Sequence, residues 1–495
     1  MSHLIFPPSI KILTLYFFTS CLLIACGSSD ESSDAPIMTS LDLIPESEIK
    51  AGENLVVNAD CRNCDSTKIR YEWKVQGVEE IVSNEDYYQI PAKHVLKEIS
   101  ITATAIDGAG YEGNSITRIY ALNRIKEIVG GSSSYAAIKT DGTVVTWGAY
   151  SYRVNISQLT NIQSIIATGF AYAAIKTDGS VVTWGDPELG GDSSAVSNRL
   201  KGVKAIYTTV RAFAAIKADG SVVTWGPSSS GGNSSEVAAQ LTDVRFISGS
   251  DFAFAALRGD GSVVTWGDPE YGGDSSEVID QLTDVRAISA TAQAFAAIKA
   301  DGSVVTWGAS HAADSSEVQD LLVDVQSIVA NYGAFAAIKL DGSVVTWGDA
   351  YYGGHHLRAI TDQLVNIKSI SATNAAFAAI KSDGSVVTWG RPHDGGNSSE
   401  VADKLINVQS ISTAYNAFAA IRGDGSVVTW GYTSANGNSS EVVDQLTDVE
   451  SISANWRSFA AIKSDGSVVT WGGYYNANSL QDTSGLQPSG IVTLK

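Results

Sequence analysis

Basic clusters are missing from this sequence. Its 33 Lys and Arg stand against 53 Asp and Glu, a formal net charge of −20. No run of Lys or Arg offers the phosphate-binding surface that nucleic acid requires, so no nucleic-acid partner is expected. Methionine is nearly absent, with 2 copies, and histidine is scarce, with 6. The chain has no G-x-S-x-G elbow, no phosphate-binding glycine loop and no H-E-x-x-H pair. No catalytic residue is assigned and no cofactor is expected, although a loop-built active site would leave no such motif. The apolar run at residues 12–25, "ILTLYFFTSCLLIA", is too short for a comfortable transmembrane helix. It reads as a targeting segment.

That run ends in Leu23-Ile24-Ala25-Cys26. The ending resembles the lipobox of bacterial lipoproteins, which implies a signal peptide over 1–25 and a lipidated Cys26. An ordinary signal peptide beside a chance Cys is the alternative. Residues 26–36 contain "GSSDESSD", a polar tether of the kind such an anchor needs. Gly27 after the Cys, where Asp would retain the protein, favours the outer membrane by resemblance to Gram-negative sorting. The membrane is then touched through the N-terminal lipid alone. Whether the protein faces the cell surface or the periplasm stays open.

Of 4 Cys, Cys21 leaves with the signal, and Cys61 and Cys64 remain in "DCRNCD". An oxidising envelope makes a disulfide the default for a spare pair. A redox pair or half a metal site is the alternative.

Residues 37–122 read as short strands separated by turns. "ISITATAID" alternates apolar and polar residues, as a half-buried strand does. "YEWKV" followed by "SITATAIDGAGYEGNS" resembles an Ig-like sandwich of bacterial surface proteins, including the PKD family. Such a domain would act as a spacer.

From 124 to 495 a repeat takes over. D-G-[ST]-V-V-T-W-G recurs with its Trp at Trp147, Trp184, Trp225, Trp266, Trp307, Trp347, Trp389, Trp430 and Trp471. A period near 41 means one supersecondary unit stacked many times. In "DVRAISATAQAFAAIKADGSVVTWG", residues 284–308, Asp301-Gly302 joins two β-rich runs. A type I′ turn there sets Lys299 against Val304, Ile298 against Val305 and Ala296 against Trp307. One face then carries Ala296, Ile298, Val305 and Trp307; the other carries Phe295, Ala297, Val304 and Thr306. Both faces are apolar, which suits sheets stacked on both sides. "VRAISA" supplies a third strand, and a fourth is not evident. Asp274 and Glu277 read as the capping box of a short helix.

The run I-S-A…F-A-A-I-K-x-D-G-S-V-V-T-W-G resembles the β-propeller repeats of the regulator of chromosome condensation family, over about 124–475. The resemblance implies an all-β propeller of about nine repeats. The family's "GQLG" loop stands here as "GGDSS" or "GGNSS", and its usual His before the second strand is replaced. Its nucleotide-exchange activity is therefore not carried over. WD-repeat and Asp-box propellers are excluded, because their signatures do not occur. "GIVTLK" at 490–495 falls where a tenth first strand would begin, which favours a closed ring. A smaller ring with outlying repeats and an open solenoid are the alternatives.

First and third strands run parallel, so the loop after the first strand and the loop after Trp-Gly emerge at one end. The D-G end is nearly constant and the other end varies. A constant scaffold presenting variable aromatic loops is how a binding surface is built, although drift also varies loops. The candidate ligand residues are Arg211, Tyr271, Tyr332, Tyr351, Tyr352, Tyr415, Trp456 and Arg457. His311, His355, His356 and His393 lie in post-Trp loops and are the candidate metal ligands. The expected function is non-enzymatic binding of a protein or carbohydrate ligand by a monomer at the outer membrane. A periplasmic scaffold docking envelope-assembly machinery and a polysaccharide-active enzyme are the alternatives.

Overall fold

The computed structural model describes residues 35–44, 54–75, 78, 80–91, 99–120, 125–148, 159–355, 360, 362–432 and 438–472. Cys26, His356 and the segment 490–495 lie outside the described residues. The described structure is all-β apart from short helical turns. Among the described residues no helix is long and apolar enough to cross a membrane.

The N-terminal unit has six strands: β1 Ile37–Ile44, β2 Asn54–Arg62, β3 Arg70–Val75, β4 Tyr87–Gln89, β5 Ile99–Ile106 and β6 Glu112–Tyr120. They form two antiparallel sheets, β1-β2-β4 and β3-β5-β6. Alternate residues of each sheet meet in one core. Leu41 and Leu55 of one sheet pack with Trp73, Ile99 and Ile101 of the other. Trp73 is fully buried, and its indole N–H donates to the Glu85 carbonyl at 2.8 Å, which satisfies the one polar group that burial would strand. Cys61 and Cys64 are joined by a disulfide.

Among the described residues each repeat forms one three-stranded antiparallel sheet, nine in all. The fifth has strands Val285–Ala290, Ala294–Lys299 and Val304–Gly308. In the second to ninth repeats the residue before the first strand is Asn, Asp or Gly because its φ is positive, as at Asp284 with φ 56°.

The hairpin register differs from the expected one. Ile298 pairs with Val304, Ala297 with Val305 and Phe295 with Trp307. Gly302 has φ 82°, but Asp301 is not among the residues with positive φ. The Asp301 carboxylate instead accepts from the Ser303 N–H at 2.9 Å and the Ser303 hydroxyl at 2.6 Å. This local bond closes a tight turn without a left-handed Asp, and four residues, 300–303, connect the strands rather than two. A one-residue slip exchanges the faces. Phe295 therefore stacks on Trp307 across the hairpin, at 5.2 Å.

Phe295, Ala297, Val305 and Trp307 now share a face, packed on Ala253, Ala255 and Leu257 of the preceding repeat. Ala294, Ala296, Ile298 and Val304 face Phe335, Ala337 and Trp347 of the following one. The small-against-large match expected within a hairpin lies between neighbouring sheets.

The first and ninth repeats also meet. Ile125, Tyr135 and Trp147 share a core with Ala460 and Ile462. The Tyr135 hydroxyl lies 3.0 Å from Ser458 Oγ. Similarly, Tyr172 Oη lies 2.8 Å from Ser134 Oγ and accepts from the Gly131 N–H at 3.1 Å. Elsewhere the aromatic position is Phe, and the residue of the preceding repeat that packs on it is Ala, as at Phe213 with Ala171 and Phe459 with Ala417.

The expected helix near Asp274 is a 3-10 helix, Ser276–Gln281. No capping box forms. The Asp274 carboxylate accepts from the Ser276 N–H at 2.9 Å, two residues on, as short acidic side chains in turns do.

Candidate binding face

Two sets of loops emerge beside each other, and a buried polar residue ties them together. After the first strand of most repeats stands a buried Thr, Ser or Asn: Thr168, Thr209, Ser250, Thr291, Asn331, Thr373 or Asn455. Its side-chain oxygen accepts from the backbone three residues on. Thr209 takes the Ala212 N–H at 3.0 Å, and Asn331 takes the Ala334 N–H at 2.8 Å. Four of them also donate into the post-Trp loop. Thr209 reaches the Ser230 carbonyl at 2.9 Å, Ser250 the Tyr271 carbonyl at 2.9 Å, Asn331 the Tyr352 carbonyl at 2.7 Å and Thr373 the Asp394 carbonyl at 2.9 Å.

The post-Trp loop is held from its far side by the next repeat. The Trp307 indole N–H donates to the Gly272 carbonyl at 3.1 Å, and Trp225, Trp266 and Trp430 repeat this bond. Gly272 has φ 86°, and a Cβ there would stand 2.6 Å from the Phe295 ring. This contact is the physical reason for the repeated Gly-Gly in these loops.

The residue after the buried polar one forms a belt. The N–H of Ser132 donates to the Gly169 carbonyl, Gly169 to Val210, Val210 to Asp251 and Asp251 to Ala292. The line continues from Ala292 to Tyr332, Asn374, Tyr415 and Trp456, with N···O distances of 2.8 to 3.4 Å throughout. One residue from each of the nine repeats thus joins a single hydrogen-bonded line. Eight of them, all but Ser132, line a cavity of about 480 Å³ to which the first repeat contributes Gly130 and Gly131. Its wall is uneven: Tyr332, Asn374, Tyr415 and Trp456 stand together, and Gly131, Gly169 and Val210 fill the other arc.

Three of the candidate ligand residues lie on this belt. Tyr332, Tyr415 and Trp456 are 41%, 45% and 45% exposed, well open for large apolar side chains. Tyr415 and Trp456 lie 5.8 Å apart between ring centroids. Tyr352 packs against Tyr332 at 5.4 Å and Tyr351 against Tyr352 at 5.1 Å, which extends the aromatic surface outward. The Arg391 guanidinium caps it, 5.0 Å over the Tyr351 ring. The other candidates do not line the cavity. Arg211 lies over Phe252 at 5.8 Å. Arg457 is exposed and bonds through its N–H to Asn455. Tyr271 meets Phe252 edge-on at 4.6 Å and lines a separate pocket with Glu270, Gln293 and His311.

His311, His355 and His393 are exposed on separate post-Trp loops. Among the described residues, no three His, Cys, Asp or Glu side chains come together to hold a metal ion. The loops that carry these histidines belong to three successive repeats.

Asp251 belongs to the variable first loops by sequence, but neither it nor Asn374 is among the candidate ligand residues. The signal was present: one column, following a buried Thr, Ser or Asn, at the same 37-to-42-residue intervals as the Trp. Burial pushes the Asp251 carboxyl up to about 6. Burial, and then the Asp251 charge, raise the Tyr332 phenol. Between 3.8 and about 6 the folded chain holds the Asp251 proton and the unfolded chain releases it. Stability therefore falls as pH rises through that window and stays lowered above it. Asp251→Asn should raise folding stability by about 1–2 kcal/mol at pH 7 and leave it unchanged near pH 3.5, read by thermal melts at both pH values.

No protein-family model matches the sequence, and no curated protein matches it. The solved structures similar to it include Prp20p from Saccharomyces cerevisiae, the yeast RCC1, at 14% identity and TM-score 0.35, covering 54% of this chain and 82% of that one. Human WBSCR16 is 13% identical with TM-score 0.33, covering 73% and 92%. The computationally designed Ika8 protein is 11% identical with TM-score 0.34, covering 71% and 96%.

Proposed function

We propose that this chain is a non-enzymatic binding protein that takes a protein or glycan ligand on the belt face. The carrying observation is the convergence of nine first loops on one cavity edged by exposed Tyr332, Tyr415 and Trp456. Exposed rings grouped on a rigid frame offer large contact area at low entropic cost. Buried Thr, Ser and Asn side chains hold that frame, so ligand binding has little loop ordering to offset.

The test is a triple variant, Tyr332→Ala, Tyr415→Ala and Trp456→Ala, compared with wild type on a glycan array and an immobilised panel of envelope proteins. Binding to one class should fall by about 100-fold with the melting temperature retained. Equal binding by both proteins would overturn the reading.

In this reading the nine repeats form a closed β-propeller, and the N-terminal unit is an Ig-like spacer. The pattern of residues at the sheet interfaces supports closure. Ser replaces Ala in the first and ninth repeats, and Tyr replaces Phe in the first and second. Each Ser then meets a Tyr only where the ninth repeat precedes the first. The lipid on Cys26 anchors the chain at the outer membrane. Cys26→Ser should move the protein from the membrane fraction to the soluble envelope fraction; retention in the membrane would remove the anchor from the proposal.

A further inference from the structure

We propose that the central cavity binds an alkylammonium group, delivered as a lysine side chain of a partner protein, with Asp251 as counter-ion and the rings of Tyr332, Tyr415 and Trp456 along the aliphatic stem. This rests on the belt face being a binding surface. Asp251 is the only charged side chain among the residues lining the cavity; no Lys, Arg or His is there. Its backbone is engaged in the belt, but its carboxylate takes no hydrogen bond or ion pair among the described residues. A partly desolvated, unpartnered carboxylate is costly unless a cation arrives.

The surroundings suit an ammonium on a thin apolar stem. Tyrosine and tryptophan faces attract organic cations and pack against methylenes. The two carboxylate oxygens of Asp251 can accept from an ammonium, and the polar Asn374 lines the same cavity. A guanidinium brings five donors and would leave some unpaired. A neutral sugar would stack on the rings and leave the Asp251 charge uncompensated. The net charge of −20 draws basic partners toward the surface.

The test is calorimetric titration of the full chain with an acetylated Gly-Gly-Lys-Gly-Gly amide, its norleucine counterpart and maltohexaose. The lysine peptide should bind. Norleucine should weaken it by about tenfold or more, and so should Asp251→Asn, whose melting temperature shows that it remains folded. Lysine-peptide binding undiminished in Asp251→Asn overturns the proposal. So does the absence of binding at about 10 mM peptide, where even a weak single-group contact registers. Maltohexaose binding that depends on Trp456, without lysine binding, overturns the cation and leaves the binding face intact. The binding face itself falls only if the triple variant above also loses nothing.

Discussion

Replacing Phe295 by alanine should lower folding stability by about 3–5 kcal/mol, the range for emptying a buried aromatic site. Phe295 is fully buried and stacks on Trp307. It fills the space between two sheets, against Ala253 and Ala255 on one side. Its ring also lies where any Cβ on Gly272 would stand, so it supports the post-Trp loop of the fourth repeat. Close-packed interiors collapse only partly around such a loss. Urea unfolding should show a lower midpoint at unchanged slope. A loss below about 1 kcal/mol would mean that the sheet interfaces are loose and that the Phe–Trp stack does not carry them.

Ser458→Ala should cost about 1–3 kcal/mol, because it removes the side-chain partner of the buried Tyr135 hydroxyl and leaves it only the Asn455 backbone. Burial already pushes the Tyr135 phenol up, so this group has no access to water in compensation. Ser458 Oγ also donates to Asn455 at 3.0 Å, so the single variant loses two bonds. The double-mutant cycle with Tyr135→Phe isolates the one that joins the first and ninth repeats. Coupling of about 0.5–3 kcal/mol is expected between residues 323 positions apart in sequence. Zero coupling would mean that the first and ninth repeats do not meet in solution, and the closed propeller would be withdrawn. The same cycle on Tyr172 and Ser134 is the control, since those repeats are consecutive under either arrangement.

Much of the architecture was legible because it is local and repeated. The D-G turns, the W-G ending and the upstream "VRAISA" run yielded three strands per repeat, and three are present. The assignment of both variable loop sets to one end followed from strand direction alone. The hairpin register was misread for a specific reason. Asp-Gly alone predicts a two-residue turn, but the Asp301 carboxylate accepts from Ser303, and that bond selects a longer connection. The slip moved Trp307 to the face of Phe295. The candidate site was half legible. Tyr332, Tyr415 and Trp456 were visible as aromatic loop residues; their placement on one belt with Asp251 and Asn374 was not. The described histidines form no cluster of three or more metal-binding side chains.

By itself the sequence determined the repeat number, the strand content of each repeat, the apolar character of both sheet faces and the end at which variation collects. These follow from periodicity and from turn chemistry acting over a few residues. It also carries the Ser–Tyr pairing, whose meaning appears once the facing strands are known. The tertiary structure alone decided which loop positions meet. A belt of nine residues forms through bonds between loops about 41 positions apart, and no local propensity encodes it. The same assembly leaves Asp251 half-buried without a partner beside three open rings. That arrangement depends on nine repeats converging, and convergence is a property of the packed assembly rather than of any one repeat.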